Sequence, residues 1–262
     1  MRSMTRGAGL LAIVALLAGC AAPPPHAGPI HAPDRLAELR WRAVLVAGDP
    51  SLPVWDNAAS RLASGLASTG AAVPGQVTRL TARRDQLAAG ARPGGKQAAL
   101  AGIAQLRPGP GEGCLVFLTM HGTRDRGLLF QPGEQHLSPD ELDAALAQGC
   151  GDAPTVVVAS GCYTGSFATG RMARPNRVVM TAARADRSSF GCGVGFELTV
   201  FDDCLLRALG PGGVVPSIWA ATTACVRAEE ARRAVSPPSS PVLHEGTAVR
   251  GLRLPAFGGK AA

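Results

Sequence analysis

Thr155-Val156-Val157-Val158-Ala159-Ser160-Gly161-Cys162-Tyr163-Thr164-Gly165-Ser166 reads as a buried strand that runs into a turn flanked by glycines. An unbroken apolar run without alternation is the pattern of a strand covered on both faces, the usual state in a parallel sheet. Earlier in the chain Cys114-Leu115-Val116-Phe117-Leu118-Thr119-Met120 shows the same pattern and ends in His121-Gly122. Two such strands side by side bring an imidazole and a thiol to one sheet edge. In open α/β sheets, reactive groups collect beyond the carboxyl ends of the strands.

Working outward, Val44-Leu45-Val46-Ala47-Gly48 predicts a further buried strand, followed by a Pro-containing loop and a helix over 56–68. A weaker strand is expected at 77–81 and a helix at 96–106, which Pro108 and Pro110 end. Leu128-Leu129-Phe130 and Gln135-His136-Leu137 predict a small hairpin around Pro132-Gly133. Ser138-Pro139-Asp140-Glu141 starts a helix, with Ser138 as N-cap, Pro139 in the first turn and Glu141 closing a capping box. A strand is expected at 177–182, helices at 196–209 and 215–233, and one or two short extended runs between 237 and 254. Alternating strands and helices predict an α/β fold, with a mainly parallel sheet flanked by helices. No internal repeat is visible.

The 262 residues open with Arg2 and Arg6, then an apolar run over 10–17, then Leu17-Ala18-Gly19-Cys20. A basic start, a short apolar core and small residues before a cut make a secretory signal. The run is about half the ~20 residues a spanning helix needs. The pattern resembles the lipobox of bacterial lipoproteins, which implies a signal peptide over 1–19 and lipid on Cys20. Ala21 after that cysteine implies, in the same resemblance, a lipid-anchored protein of the bacterial cell envelope, on the outer membrane facing the periplasm. Residues 20–39, with Pro23-Pro24-Pro25, Pro29 and Pro33, would form a tether. His26 and His31 in that stretch read as solvated.

Net charge is +7, from 26 Lys and Arg against 19 Asp and Glu; without Arg2 and Arg6 the balance is 24 to 19. The positive charge is spread along the chain without a dense basic cluster or interleaved aromatics, which argues against nucleic-acid binding. Seven cysteines are present, none spaced as zinc ligands, so no metal site is expected. An exported chain permits disulfides. Cys114 and Cys150 each precede an apolar strand and can face each other at the far end of the sheet. One of Cys192, Cys204 and Cys225 then stays free.

A thiol needs a neighbouring base to become a nucleophile, and a histidine can also return a proton to a leaving amine. His121 and Cys162 are the candidate pair. The backbone N–H groups of Gly122 and Cys162 are the candidate oxyanion donors. Glycines at 122, 161 and 165 allow sharp turns and close approach of a peptide. His136 and His244 do not end apolar strands and are weaker candidates.

Phe117-Leu118-Thr119-Met120-His121-Gly122-Thr123, Gly127-Leu128-Leu129-Phe130 and Ser160-Gly161-Cys162-Tyr163-Thr164-Gly165-Ser166-Phe167, in that order, resemble the legumain-type cysteine peptidases of family C13, clan CD. The likeness extends to Trp41–Gly48 and Thr181–Cys192 and spans roughly 41–205. The resemblance implies a caspase-like, three-layer sandwich over 40–235, with 236–262 as a C-terminal extension. It implies a cysteine endopeptidase acting on peptides or proteins without a cofactor, His121 and Cys162 as dyad, and transpeptidase or transamidase activity as an option. Met120 departs from the acidic residue that precedes the family's histidine. The family's asparagine-selective pocket uses an Arg and a Glu, for which Asp56 and Arg187 stand here, with Ser188 beside the latter. Both charges are reversed, so a pocket of opposite polarity is expected, with Arg187 holding an acid or amide side chain. Gly90-Ala91-Arg92-Pro93-Gly94-Gly95-Lys96-Gln97 nearly matches a phosphate-binding loop, but Gln97 replaces the magnesium-binding hydroxyl and a loop entering a helix is expected. The rival reading is a non-catalytic envelope lipoprotein that binds peptides or a protein partner.

Overall fold

The computed structural model describes residue 36 and residues 39–257. The expected signal peptide, the lipidation site Cys20 and all of the expected tether except Leu36 and Leu39 lie outside the described residues. Leu36 is already buried in the core.

A seven-stranded sheet forms the centre, in the spatial order 242–245, 177–181, 155–160, 112–119, 40–47, 72–81 and 92–93. Its strands are β1 (Arg40–Ala47), β2 (Ala72–Thr81), β3 (Arg92–Pro93), β4 (Glu112–Thr119), β8 (Thr155–Ser160), β9 (Arg177–Thr181) and β11 (Val242–Glu245). All neighbours are parallel except β11, which runs antiparallel to β9. The helices are α1 (Val54–Ser68), α2 (Lys96–Ala104), α3 (Pro139–Cys150), α4 (Val200–Leu209) and α5 (Val215–Arg232).

Alternate residues of each strand feed two cores, as the period of two requires. Leu115 and Phe117 of β4 and Val156 and Val158 of β8 pack with residues of α1, α4 and α5. Val116, Leu118, Val157 and Ala159 face residues of α2 and α3 on the other side. Three layers result, helices on both faces of a mostly parallel sheet, as the sequence predicts. A small antiparallel sheet of β5 (Gly122–Thr123), β6 (Gly127–Phe130) and β7 (Gln135–Leu137) follows β4. It contains the expected hairpin and adds one strand to it. The capping box at Ser138 is present: Ser138 Oγ accepts from the Glu141 N–H, and the Glu141 carboxylate accepts from the Ser138 N–H.

Several elements differ from the sequence expectation. Strands β1 and β2 begin earlier, because Arg40 and Ala72 join the ladder through backbone bonds that need no apolar side chain. Helix α4 begins at Val200 rather than 196, because the Thr199 side chain caps it by accepting from the Asp202 N–H. Residues 236–257, expected to be an extension, supply β11 to the main sheet and Val249, Leu252 and Leu254 to the core. A second strand there, β12 (Arg253–Leu254), pairs with β10 (Gly213–Val214).

Two disulfides cross-link the fold. Cys114–Cys150 joins the start of β4 to the end of α3, and Cys204–Cys225 joins α4 to α5, leaving Cys162 and Cys192 free among the described residues. A buried ionic cluster ties β9 to α3. Asp143 Oδ1 accepts from Arg177 Nη1 at 2.7 Å and from Arg174 Nε at 2.9 Å, and Oδ2 accepts from Arg174 Nη2 at 2.8 Å.

Candidate active site

The register of the two central strands sets the site. Leu118 lies opposite Ala159 and Thr119 opposite Ser160, and the Met120 N–H continues the ladder to the Ser160 carbonyl at 3.1 Å. One step further, His121 and Cys162 leave adjacent strands at the same level. Beyond the last ladder bond the backbones stay in contact. A Cβ on Gly122 would overlap the Cys162 carbonyl oxygen, and one on Gly161 would lie 2.8 Å from the Met120 carbonyl oxygen. Only glycine lets these turns approach so closely, which is why 122 and 161 lack side chains.

The turn after the thiol is held tightly. Tyr163 has φ 61°, the left-handed region, which a non-glycine residue adopts only under constraint. Its N–H donates to the Arg187 carbonyl at 2.8 Å, and its ring lies under the Arg124 guanidinium at 5.0 Å. The thiol rests on the loop after β9: the Ser189 N–H donates to Cys162 Sγ at 3.3 Å, and Sγ donates to the Ser189 carbonyl at 3.6 Å. The His121 carbonyl accepts from the Leu129 N–H at 2.8 Å, which ties the histidine backbone to β6. Its ring meets the indole of Trp55 edge-on, with centroids 4.9 Å apart. Cys192 packs against the small cluster that contains Trp55. Burial pushes the Cys192 thiol up, and the neighbouring Cys162 sulfur adds to the effect. A chain of neighbours, His121 to Trp55 to Cys192 to Cys162, therefore runs between the two strand ends.

The expected specificity residues fall apart into two places. Arg187 and Ser188 touch the residue after the thiol: the Arg187 carbonyl accepts from the Tyr163 N–H, and Ser188 Oγ bonds Tyr163 Oη at 3.2 Å. Arg187 Nη1 also pairs with Asp186 at 3.1 Å, and Asp186, bonded first by Arg184, is lowered to about 2. Asp56 is buried near the end of β2, where its Oδ1 accepts from Thr81 Oγ1 at 2.6 Å. Burial raises its pKa against the pull of that bond and of Arg83 and Arg79. Its carboxylate is thus committed to the β2 side, and no contact with Arg187 is recorded among the described residues. His136 bonds Thr123 Oγ1 at 3.2 Å and His244 the Arg174 carbonyl at 3.0 Å. Met120 is buried against Gly48, as the apolar replacement in the motif requires. The near match to a phosphate loop is a turn, the two-residue strand β3 and the start of α2.

Sequence reasoning did not find Trp55 or Ser189 as neighbours of the pair. Only the stacking of α1 and of the loop after β9 over the strand ends brings them in. Among the described residues no cluster of three or more His, Cys, Asp or Glu could hold a metal ion. No helix there is long and apolar enough to cross a membrane.

Residues 91–209, which contain both His121 and Cys162, match the Peptidase C13 family. The crystal structure of caspase-1 from Spodoptera frugiperda is similar in fold, with a TM-score of 0.52 and 14% identity over 86% of this chain and 92% of that one. A structure of pro-Sf-caspase-1 follows at a TM-score of 0.49 and 12% identity, over 80% of this chain and 92% of that one. No curated protein matches the chain. The fold is caspase-like. Over residues 91–209 the chain is similar to the Peptidase C13 family, a family of cysteine peptidases.

Proposed function

We propose that this protein is a cysteine endopeptidase with His121 and Cys162 as its dyad. One observation carries the reading: the Thr119–Ser160 register, with the Gly122 turn packed on the Cys162 carbonyl, sends both side chains from the same level of adjacent strands. His121 takes the Cys162 proton, and the thiolate attacks the scissile carbonyl carbon. The N–H groups of Gly122 and Cys162 receive the oxyanion. The imidazolium returns its proton to the departing amine, and a thioester remains on Cys162. Water, activated by neutral His121, hydrolyses the thioester; an amine in its place gives transpeptidation. In this reading Arg187 and Ser188 meet the side chain next to the cleaved bond; their contacts with Tyr163 support it, and a guanidinium favours an acid or amide there. Cys20 carries lipid and holds the enzyme on the bacterial outer membrane, facing the periplasm.

The test is labelling by peptidyl acyloxymethyl ketones with varied side chains at the first position. Cys162 should be the modified residue, Cys162→Ala should abolish labelling, and His121→Ala should slow it by about 10²-fold or more. Labelling elsewhere, or at an unchanged rate in His121→Ala, would turn the reading to a peptide-binding protein. A side-chain preference unaffected by Arg187→Ala would remove Arg187 from the pocket. Incorporation of an alkyne fatty acid that survives Cys20→Ser would refute the anchor.

A further inference from the structure

Beneath the two strand ends lies a carboxylate that the reaction above does not use. Asp202, in the first turn of α4, is 0% exposed. Its Oδ2 accepts from Thr119 Oγ1 at 2.7 Å. Ser160 Oγ and Asp202 Oδ1 are both buried and neither has a hydrogen-bond partner, yet the serine hydroxyl is close enough to pull the carboxyl's pKa down. Thr119 precedes His121 by two residues, Ser160 precedes Cys162 by two, and the two hydroxyl residues face each other across the ladder. Helix α4 is fixed in turn by its Thr199 cap and by the Cys204–Cys225 disulfide. Burial pushes the Asp202 carboxyl up to about 6, with the hydroxyls of Thr119, Ser160 and Thr199 opposing and Asp203 reinforcing.

A carboxyl in this place costs free energy that apolar packing would not. Valine at 119, alanine at 160 and leucine at 202 would suit the surrounding apolar core without desolvating any polar group. The arrangement sits at the end of the backbone ladder, beside the bond from the Met120 N–H to the Ser160 carbonyl.

We propose that Asp202 is a positioning residue, one buried carboxyl that gathers the Thr119 and Ser160 hydroxyls and so fixes the separation of His121 and Cys162. Its catalytic consequence rests on the dyad reading above; the clasp itself does not.

The experiment compares wild type with Asp202→Ala, Asp202→Asn, Thr119→Val and the triple variant Thr119→Val/Ser160→Ala/Asp202→Leu. Three quantities are read: thermal stability, the maximal rate and half-saturation of Cys162 labelling by a peptidyl acyloxymethyl ketone, and hydrogen exchange in the peptides covering 119–122 and 160–163. The triple variant is expected to melt at or above the wild-type temperature. Its maximal labelling rate should nonetheless fall by about 10²-fold, the effect of roughly 1 Å of misplacement. Half-saturation should stay within about threefold, since uniform binding is untouched. Asp202→Asn retains an acceptor for Thr119 and should recover most of the rate. Exchange should quicken in the two site segments alone. A folded triple variant or Thr119→Val protein with wild-type rate and exchange overturns the proposal; Thr119→Val serves if the Asp202 variants do not fold. If wild type itself is not labelled at Cys162, the dyad reading fails and exchange alone decides the clasp. Faster exchange at 119–122 and 160–163 sustains it, and unchanged exchange ends it.

Discussion

Removing the Asp143 carboxylate should strand a guanidinium inside the sheet. The Arg177 side chain is 1% exposed, and its other contact is Met172 Sδ at 3.7 Å, a weak acceptor. Arg174, the second partner, is 45% exposed and can turn to water. In Asp143→Ala, therefore, one cation is rehydrated and the other is left without an anion. Breaking a buried pair from one side costs about 3–5 kcal/mol. For a domain of this size each kcal/mol lowers Tm by about 2–4 °C, so the loss should be roughly 6–20 °C. Arg174→Ala keeps the inner pair and should cost about 1 kcal/mol or less. Asp143→Leu with Arg177→Met buries no charge and should recover most of the loss. The acid dependence follows the same logic. Burial alone would raise the Asp143 pKa, but hydrogen bonds from Arg174 and Arg177 outweigh it and hold the group low. A lowered folded value means the stabilisation is complete above the ordinary carboxylate range and drains away as pH falls through the folded value. Denaturant melts at pH 7 and along an acid series measure both effects. A single Asp143→Ala variant within about 1 kcal/mol of wild type would refute the reasoning, as would a double variant no better than the single one.

Gly122→Ala forces the histidine turn off the Cys162 carbonyl, and Cys162 labelling should fall by about 10²-fold; an unchanged rate would mean that the turn tolerates a methyl. Cys114→Ser/Cys150→Ser opens a bridge between residues 36 apart. Chain entropy gives about 3–4 kcal/mol for such a loop, read by denaturant unfolding under non-reducing conditions, and a loss under 1 kcal/mol would count against it. Asp202, raised to about 6 by burial, binds its proton more tightly folded than unfolded. It therefore favours the fold at low pH and loses that contribution as pH rises between about 4 and 6. Asp202→Asn should lack this trend, so its stability relative to wild type should rise by about 2 kcal/mol from pH 4 to pH 7; a flat difference would refute the shift.

The central strands were legible because continuous Val, Leu and Phe runs have few other uses. The candidate site was legible as a pair of strand ends because each run ends in a chemically distinctive pair, His121-Gly122 and Gly161-Cys162. The capping box at Ser138 was readable for the same local reason. What could not be read depends on distant packing. Strand β11 is a short, half-buried edge set among prolines, and only its partner β9 defines it. Asp56 stood at the expected motif position, yet helix α1 turns its carboxylate toward Thr81. Asp202 follows a capping threonine and looks like an ordinary acid in a first helical turn. Its meaning arises only because α4 docks under Thr119 and Ser160.

The Cys114–Cys150 bridge has a consequence for the sulfur chemistry of the folded chain. Cys114 is level with Thr155, the first residue of β8, whereas Cys162 follows the last. At about 3.3 Å per residue the strand sets the reactive sulfur some 20 Å from that bridge. Once folded, the Cys162 thiol cannot reach it, so exchange between them stops when the sheet forms. The rigid strand acts as a spacer: it sets that bridge apart from Cys162, whose sulfur neighbour is the free Cys192 instead.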